Sequence, residues 1–64
     1  MTDAEASSLL EERRNALGLS PLRVGAENGR VWVAVSTHFK SYGETFAEAC
    51  VAWVEAHPAP VGGA

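Results

Sequence analysis

Asn28-Gly29 constrains this chain more than any other pair of its residues. Both residue types tolerate the positive φ that a two-residue type I′ hairpin loop demands, and alternating apolar residues flank them. A hairpin closed there sets Glu27 opposite Arg30, Ala26 opposite Val31, Gly25 opposite Trp32, Val24 opposite Val33, Arg23 opposite Ala34 and Leu22 opposite Val35. Side chains alternate across a strand. Leu22, Val24, Ala26, Val31, Val33 and Val35 therefore share one wholly apolar face, and Arg23, Gly25, Glu27, Arg30, Trp32, Ala34 and Ser36 share the other. A slip of one residue would mix the two sets, so the register is predicted together with the hairpin.

Two helices flank it. Thr2 to Leu17 opens with Thr2 and Glu5 at capping-box spacing and closes at Gly18, with Pro21 barring continuation. Its apolar face is Ala6, Leu9, Leu10, Ala16 and Leu17, with Arg13 expected to lay its stem there and keep its charge in water. Glu11 and Arg14 are spaced as an i, i+3 pair. Thr45 to Ala56 opens on a second capping box, Thr45 and Glu48, and is rich in alanine. Phe46, Ala49, Cys50, Trp53 and His57 line one face, and Ala47, Val51 and Val54 widen it beyond a single stripe. Such a helix is expected to touch two neighbours.

Between hairpin and second helix, Thr37 and Phe39 are read as continuing the apolar face, with His38 and Lys40 on the outer one. A kink near Ser36, or a short third strand around Phe39 to Tyr42, is equally compatible with the same residues. The expected fold is a single small α+β domain, α-β-β-α with that third strand left open, spanning residues 1–57. Pro58 to Ala64 has no apolar periodicity and is expected to be a disordered tail.

Composition narrows the function classes. With 64 residues the chain makes one domain, whose marginal core points to self-association or a partner as added support. Its one cysteine, Cys50, excludes an internal disulfide. No Cys-x-x-Cys or His-x-x-x-His pair exists, so no metal and no cofactor are expected. Ser36, Thr37 and Ser41 lie near His38 without a nucleophile elbow, and an enzyme is not expected. No apolar run approaches a membrane span and no signal segment is visible, so the expected location is the cytoplasm. The net charge of −3 argues against direct nucleic-acid binding.

What remains is binding. Trp32, rimmed by Arg23, Arg30 and His38, reads as a contact patch for a protein partner or a second copy, because tryptophan and arginine are favoured anchors. The edge of the second strand, Arg30 to Ser36, offers unpaired backbone groups for the same purpose. Glu11, Glu12, Glu48 and Glu55 are the second candidate set: acidic helices that would occupy a nucleic-acid groove on another protein.

Gly29-Arg-Val-Trp-Val-Ala-Val, followed by Tyr42-Gly-Glu-Thr-Phe-Ala-Glu-Ala49, resembles the N-terminal domain of HicB-type antitoxins across residues 22–56. The resemblance implies a hairpin, a short third strand and a helix opened by Gly-Glu-Thr, in an antitoxin or transcriptional regulator partnered by a toxin. The Pro-x-x-x-Gly loop of that family is absent and a helix precedes the hairpin. In size, acidity and lack of a catalytic motif the chain is also similar in type to small phage or mobile-element inhibitors of host defence and nucleic-acid enzymes, anti-CRISPR proteins among them. The leading expectation is such a non-catalytic inhibitor; the alternatives are the HicB-like regulator and a nucleic-acid-binding module.

Overall fold

The computed structural model describes residues 1–59, so the expected tail lies, from residue 60 on, outside the described residues. The elements run α1 (Asp3–Ala16), β1 (Leu22–Glu27), β2 (Arg30–Val35), β3 (Ser41–Gly43) and α2 (Phe46–Ala56). The third strand therefore exists, and the domain is an α-β-β-β-α member of the α+β class. The sheet is antiparallel throughout, in the order β1-β2-β3.

Asn28 and Gly29 have φ of 53° and 77°, as a type I′ loop requires. All six β1–β2 pairs fall in the register that this loop dictates. β3 then pairs with the far side of β2, Trp32 opposite Tyr42. The edge of β2, expected to be free, is filled by β3, and β2 is the central strand.

Both helix starts are capped. Thr2 and Glu5 exchange the two capping-box bonds, at 2.9 and 3.1 Å. The Thr2 N–H first, and the Thr2 hydroxyl second, hold the Glu5 carboxyl below its ordinary range. At α2 the box is half made. Thr45 Oγ1 accepts from the Glu48 N–H, but the Glu48 carboxylate turns back to the N–H of Glu44 rather than that of Thr45. α1 ends in a Schellman motif. Gly18, at φ 69°, donates to Asn15 O, and Leu19 donates to Arg14 O.

The core consists of Ala6 and Leu10 from α1, Val33 and Val35 from β2, and Ala49, Cys50, Trp53 and Val54 from α2. α2 lies across β2 and β3, and α1 packs along α2. The placement of α2 follows from a two-residue connection. β3 ends at Gly43, and a Cβ there would meet Ala49 N at 2.5 Å, so the first turn of α2 rests directly on that glycine. A helix about 10 Å wide covers the strand it leaves and the next one, at strand spacings of about 4.8 Å. Beyond Leu22, which packs against the core, β1 lies outside its reach. Of the apolar residues expected to be core, Val24 is 50% exposed and Ala26 is exposed.

Candidate interaction surface

β2 ends in a turn that decides what the surface displays. The N–H of His38 donates to Val35 O at 3.0 Å, and the N–H of Ser36 donates to Pro21 O at 2.8 Å. Ser36 takes a φ of 56°. That left-handed residue breaks the strand alternation, so the two residues expected on opposite faces exchange places. His38, read as an outer-face rim residue, turns toward the core. Its ring makes edge contacts with Trp53 and His57, at centroid distances of 6.4 and 4.9 Å. Phe39, read as core, is 93% exposed. The turn is the kink left open near Ser36; Ser36-Thr37 carries no glycine or asparagine that would fix its form.

The inner cluster is tightly made. His57 stacks on Trp53 at 4.0 Å, and its Nδ1 lies 2.8 Å from Trp53 O. Arg13 is half-buried and does not leave its whole guanidinium to water. Its Nη1 donates to Val54 O at 3.0 Å and His57 O at 2.8 Å, closing the C-terminal end of α2, where carbonyls lack helical partners. The expected Glu11–Arg14 pair does not form; Lys40–Glu27 is the sole ion pair among the described residues.

The outer sheet face carries a second aromatic cluster. Trp32 lies over Gly25, where a Cβ would overlap the indole ring. Lys40 Nζ sits 4.5 Å from the Trp32 ring centroid. Glu27 Oε1 accepts from Tyr42 Oη at 2.7 Å and from Lys40 Nζ at 3.4 Å. Glu27 thus chooses Lys40 and Tyr42 over Arg30, the residue directly opposite. Tyr42 first, and Lys40 second, pull the Glu27 carboxyl below its ordinary range, while the same carboxylate raises the Tyr42 phenol.

Of the residues singled out from sequence, Trp32 is half-buried in this cluster. Arg23 is exposed and donates from Nη2 to Ser36 O at 3.2 Å. Arg30 is exposed beside Asn28 and Tyr42, and makes no ion pair among the described residues. Two of the three outer cations are therefore engaged internally. The acidic set divides: Glu48 and Glu55 line a groove of about 520 Å³ with Met1, Tyr42 and Val51, whereas Glu11 and Glu12 line another with Ser8 and Asn15. The residue that the sequence reading missed is Phe39. It stands between two hollows, one lined by Thr37, His38, Ser41, Ala56 and His57, the other by Arg23, Lys40 and Tyr42.

Burial raises the Cys50 thiol above its ordinary value, which keeps it protonated. No three of His, Cys, Asp or Glu converge as a metal-binding group among the described residues, and no described helix is long and apolar enough to cross a membrane. No protein family, curated protein or solved structure matches this chain.

Proposed function

We propose that the protein is a non-catalytic protein-binding module, anchored on Phe39, of the small acidic inhibitor type with which phages and mobile elements block host defence or nucleic-acid enzymes. The observation that carries this reading is the exposure of Phe39 at 93% on a turn whose preceding residue, His38, is wedged against Trp53 and His57. A large apolar side chain held in water by a fixed turn costs stability and contributes none. A partner that desolvates it gains an anchor that needs little further ordering. The acidic side chains Asp3, Glu5, Glu11, Glu12, Glu44, Glu48 and Glu55 are all exposed on or beside the helices. They favour a cationic target such as a nucleic-acid groove, because charge steers the encounter while the anchor supplies affinity.

A HicB-like antitoxin is the second reading. It is supported by Gly43 lying under the first turn of α2 and Thr45 capping it, the roles that the resemblance gives to Gly-Glu-Thr. Its partner would be a toxin.

The test is a photo-crosslinking residue placed at Phe39, and separately at Glu11 and Glu55, in host lysate with and without nuclease. The reading expects one protein adduct from position 39 that survives nuclease. Adducts from the acidic positions alone would move the site to the helices, and loss with nuclease would favour a nucleic-acid-binding module. The identity of the adduct, processing enzyme or small toxin, separates inhibitor from antitoxin.

A further inference from the structure

The free edge of β1 poses a separate question. The two-residue loop closes on the hydrogen-bonded pair Glu27–Arg30. By alternation Gly25 and Arg23 are the other residues of β1 that bond β2, so the N–H and C=O groups of Leu22, Val24 and Ala26 point outward. No backbone hydrogen bond from outside the sheet reaches these residues among those described. On the helix-bearing side the edge shows half-exposed Val24 and exposed Ala26, which α2 does not cover. A six-residue edge strand with no proline and an uncovered apolar face is a pairing template.

We infer that β1 pairs antiparallel with β1 of a second copy about a two-fold axis at Gly25, joining two three-stranded sheets into one of six strands. The strand itself selects the occupant and the register. Centred on Gly25, each Val24 meets the partner's Ala26 in a hydrogen-bonded pair, apolar against apolar. Each Arg23 meets the partner's Glu27 in a non-hydrogen-bonded pair, where side chains approach most closely. Both Lys40 and Tyr42 address Oε1 of Glu27, so Oε2 is left to receive that arginine, whose contact within the monomer is one exposed bond from Nη2 to Ser36 O. Centring on Val24 instead would set Arg23 against Gly25 and leave Glu27 without a cation opposite.

The glycine at the axis has a use in this arrangement. Trp32 reaches over Gly25 toward the free edge. In the joined sheet the two Trp32 residues stand three strand spacings apart, about 14 Å, so the two indoles converge over the central glycines. A side chain at either Gly25 would occupy that space. Phe39 lies on the β2–β3 turn, away from the axis, so its proposed use is independent of this contact.

Sedimentation equilibrium of the full chain, wild type against Val24→Pro, tests the pairing. The Val24 N–H points outward, so proline removes an edge hydrogen bond and none to β2. The expected result is a wild-type dimer whose Kd rises about tenfold or more in the variant. The double variant Arg23→Cys/Glu27→Cys tests the register even if Val24→Pro fails to fold. Non-hydrogen-bonded partners have Cα atoms about 4.5 Å apart, within disulfide range, whereas positions 23 and 27 of one strand are roughly 13 Å apart. Oxidation should give a covalent dimer from the double variant and not from either single one. A strictly monomeric wild type, a dimer indifferent to Val24→Pro, or a double variant that stays uncrosslinked while the wild type dimerises would overturn the proposal. Capture of a strand from another protein in place of a second copy would overturn it equally.

Discussion

The two tryptophans of this chain are treated in opposite ways. Trp53 on α2 is fully buried, stacked by His57 and edged by His38. Trp32 on the central strand lies half-buried across a glycine, under a lysine. The first joins three parts of the molecule, because the backbone that carries Trp53 and His57 is also where Arg13 of α1 ends. The second organises a surface: Gly25, Trp32, Lys40, Tyr42 and Glu27 form a network on the face that no helix covers. The lesson is that stability and display are separated by the sheet, with the Ser36–Lys40 turn passing between them.

The largest expected effect breaks the buried side. Trp53→Ala should cost about 3–5 kcal/mol, enough to unfold much of a domain this small. A melting temperature unchanged from wild type would remove Trp53 from the core. Arg13→Ala comes next, at roughly 1–3 kcal/mol, because it strips two carbonyls at the end of α2 of their donor. Thermal melts should show Arg13→Lys recovering only part, since both bonds leave the single nitrogen Nη1 and the lysine side chain ends one atom short of it.

On the display side the sharpest probe is the glycine. Gly25→Ala should cost about 1–3 kcal/mol, because the new methyl displaces the indole. In Trp32→Ala the same change should cost far less. A double-mutant cycle by denaturant titration that showed simple additivity would mean that Trp32 does not lie over Gly25.

These differences also explain how much could be read from the sequence. The hairpin register was legible because Asn28-Gly29 admits one loop and the apolar residues alternate around it. Both helices were legible from Thr2, Thr45 and Gly18, whose side chains or lack of one answer local hydrogen-bonding needs. Trp32 over Gly25 followed from register alone. Three things were not legible. A kink near Ser36 was open, but not its left-handed conformation, which serine rarely adopts and which reversed His38 and Phe39. Arg13 found its partners more than forty residues away on α2, where no local spacing could indicate them. Coverage of β1 depended on how far α2 reaches from Gly43, so Val24 and Ala26 look like core by pattern and are surface by geometry.

A smaller effect concerns pH. The Glu27 carboxyl is held low, first by Tyr42 and then by Lys40. A carboxylate of lowered folded pKa contributes stability above its unfolded value of about 4.3, and that contribution is lost as pH falls through the folded value. Glu27→Gln should therefore flatten the acid limb of the melting curve, though Glu5, also held low, keeps part of it. The partner group gives the cleaner reading. Tyr42 should ionise at higher pH than free tyrosine in an absorbance titration, and Glu27→Gln should return it toward the ordinary value. An identical tyrosine titration in both proteins would contradict the hydrogen bond.

The most direct measurement is Phe39→Ser, examined side by side for melting temperature and for capture of the crosslinked partner. Phe39 touches water over nearly all its surface, so its removal should leave the melting temperature unchanged or slightly raised. As the anchor of a contact it should weaken capture about tenfold or more. A melting temperature lowered by several degrees would mean that Phe39 is packed in solution. Capture at the wild-type level would mean that the partner is held elsewhere, and either result contradicts the account.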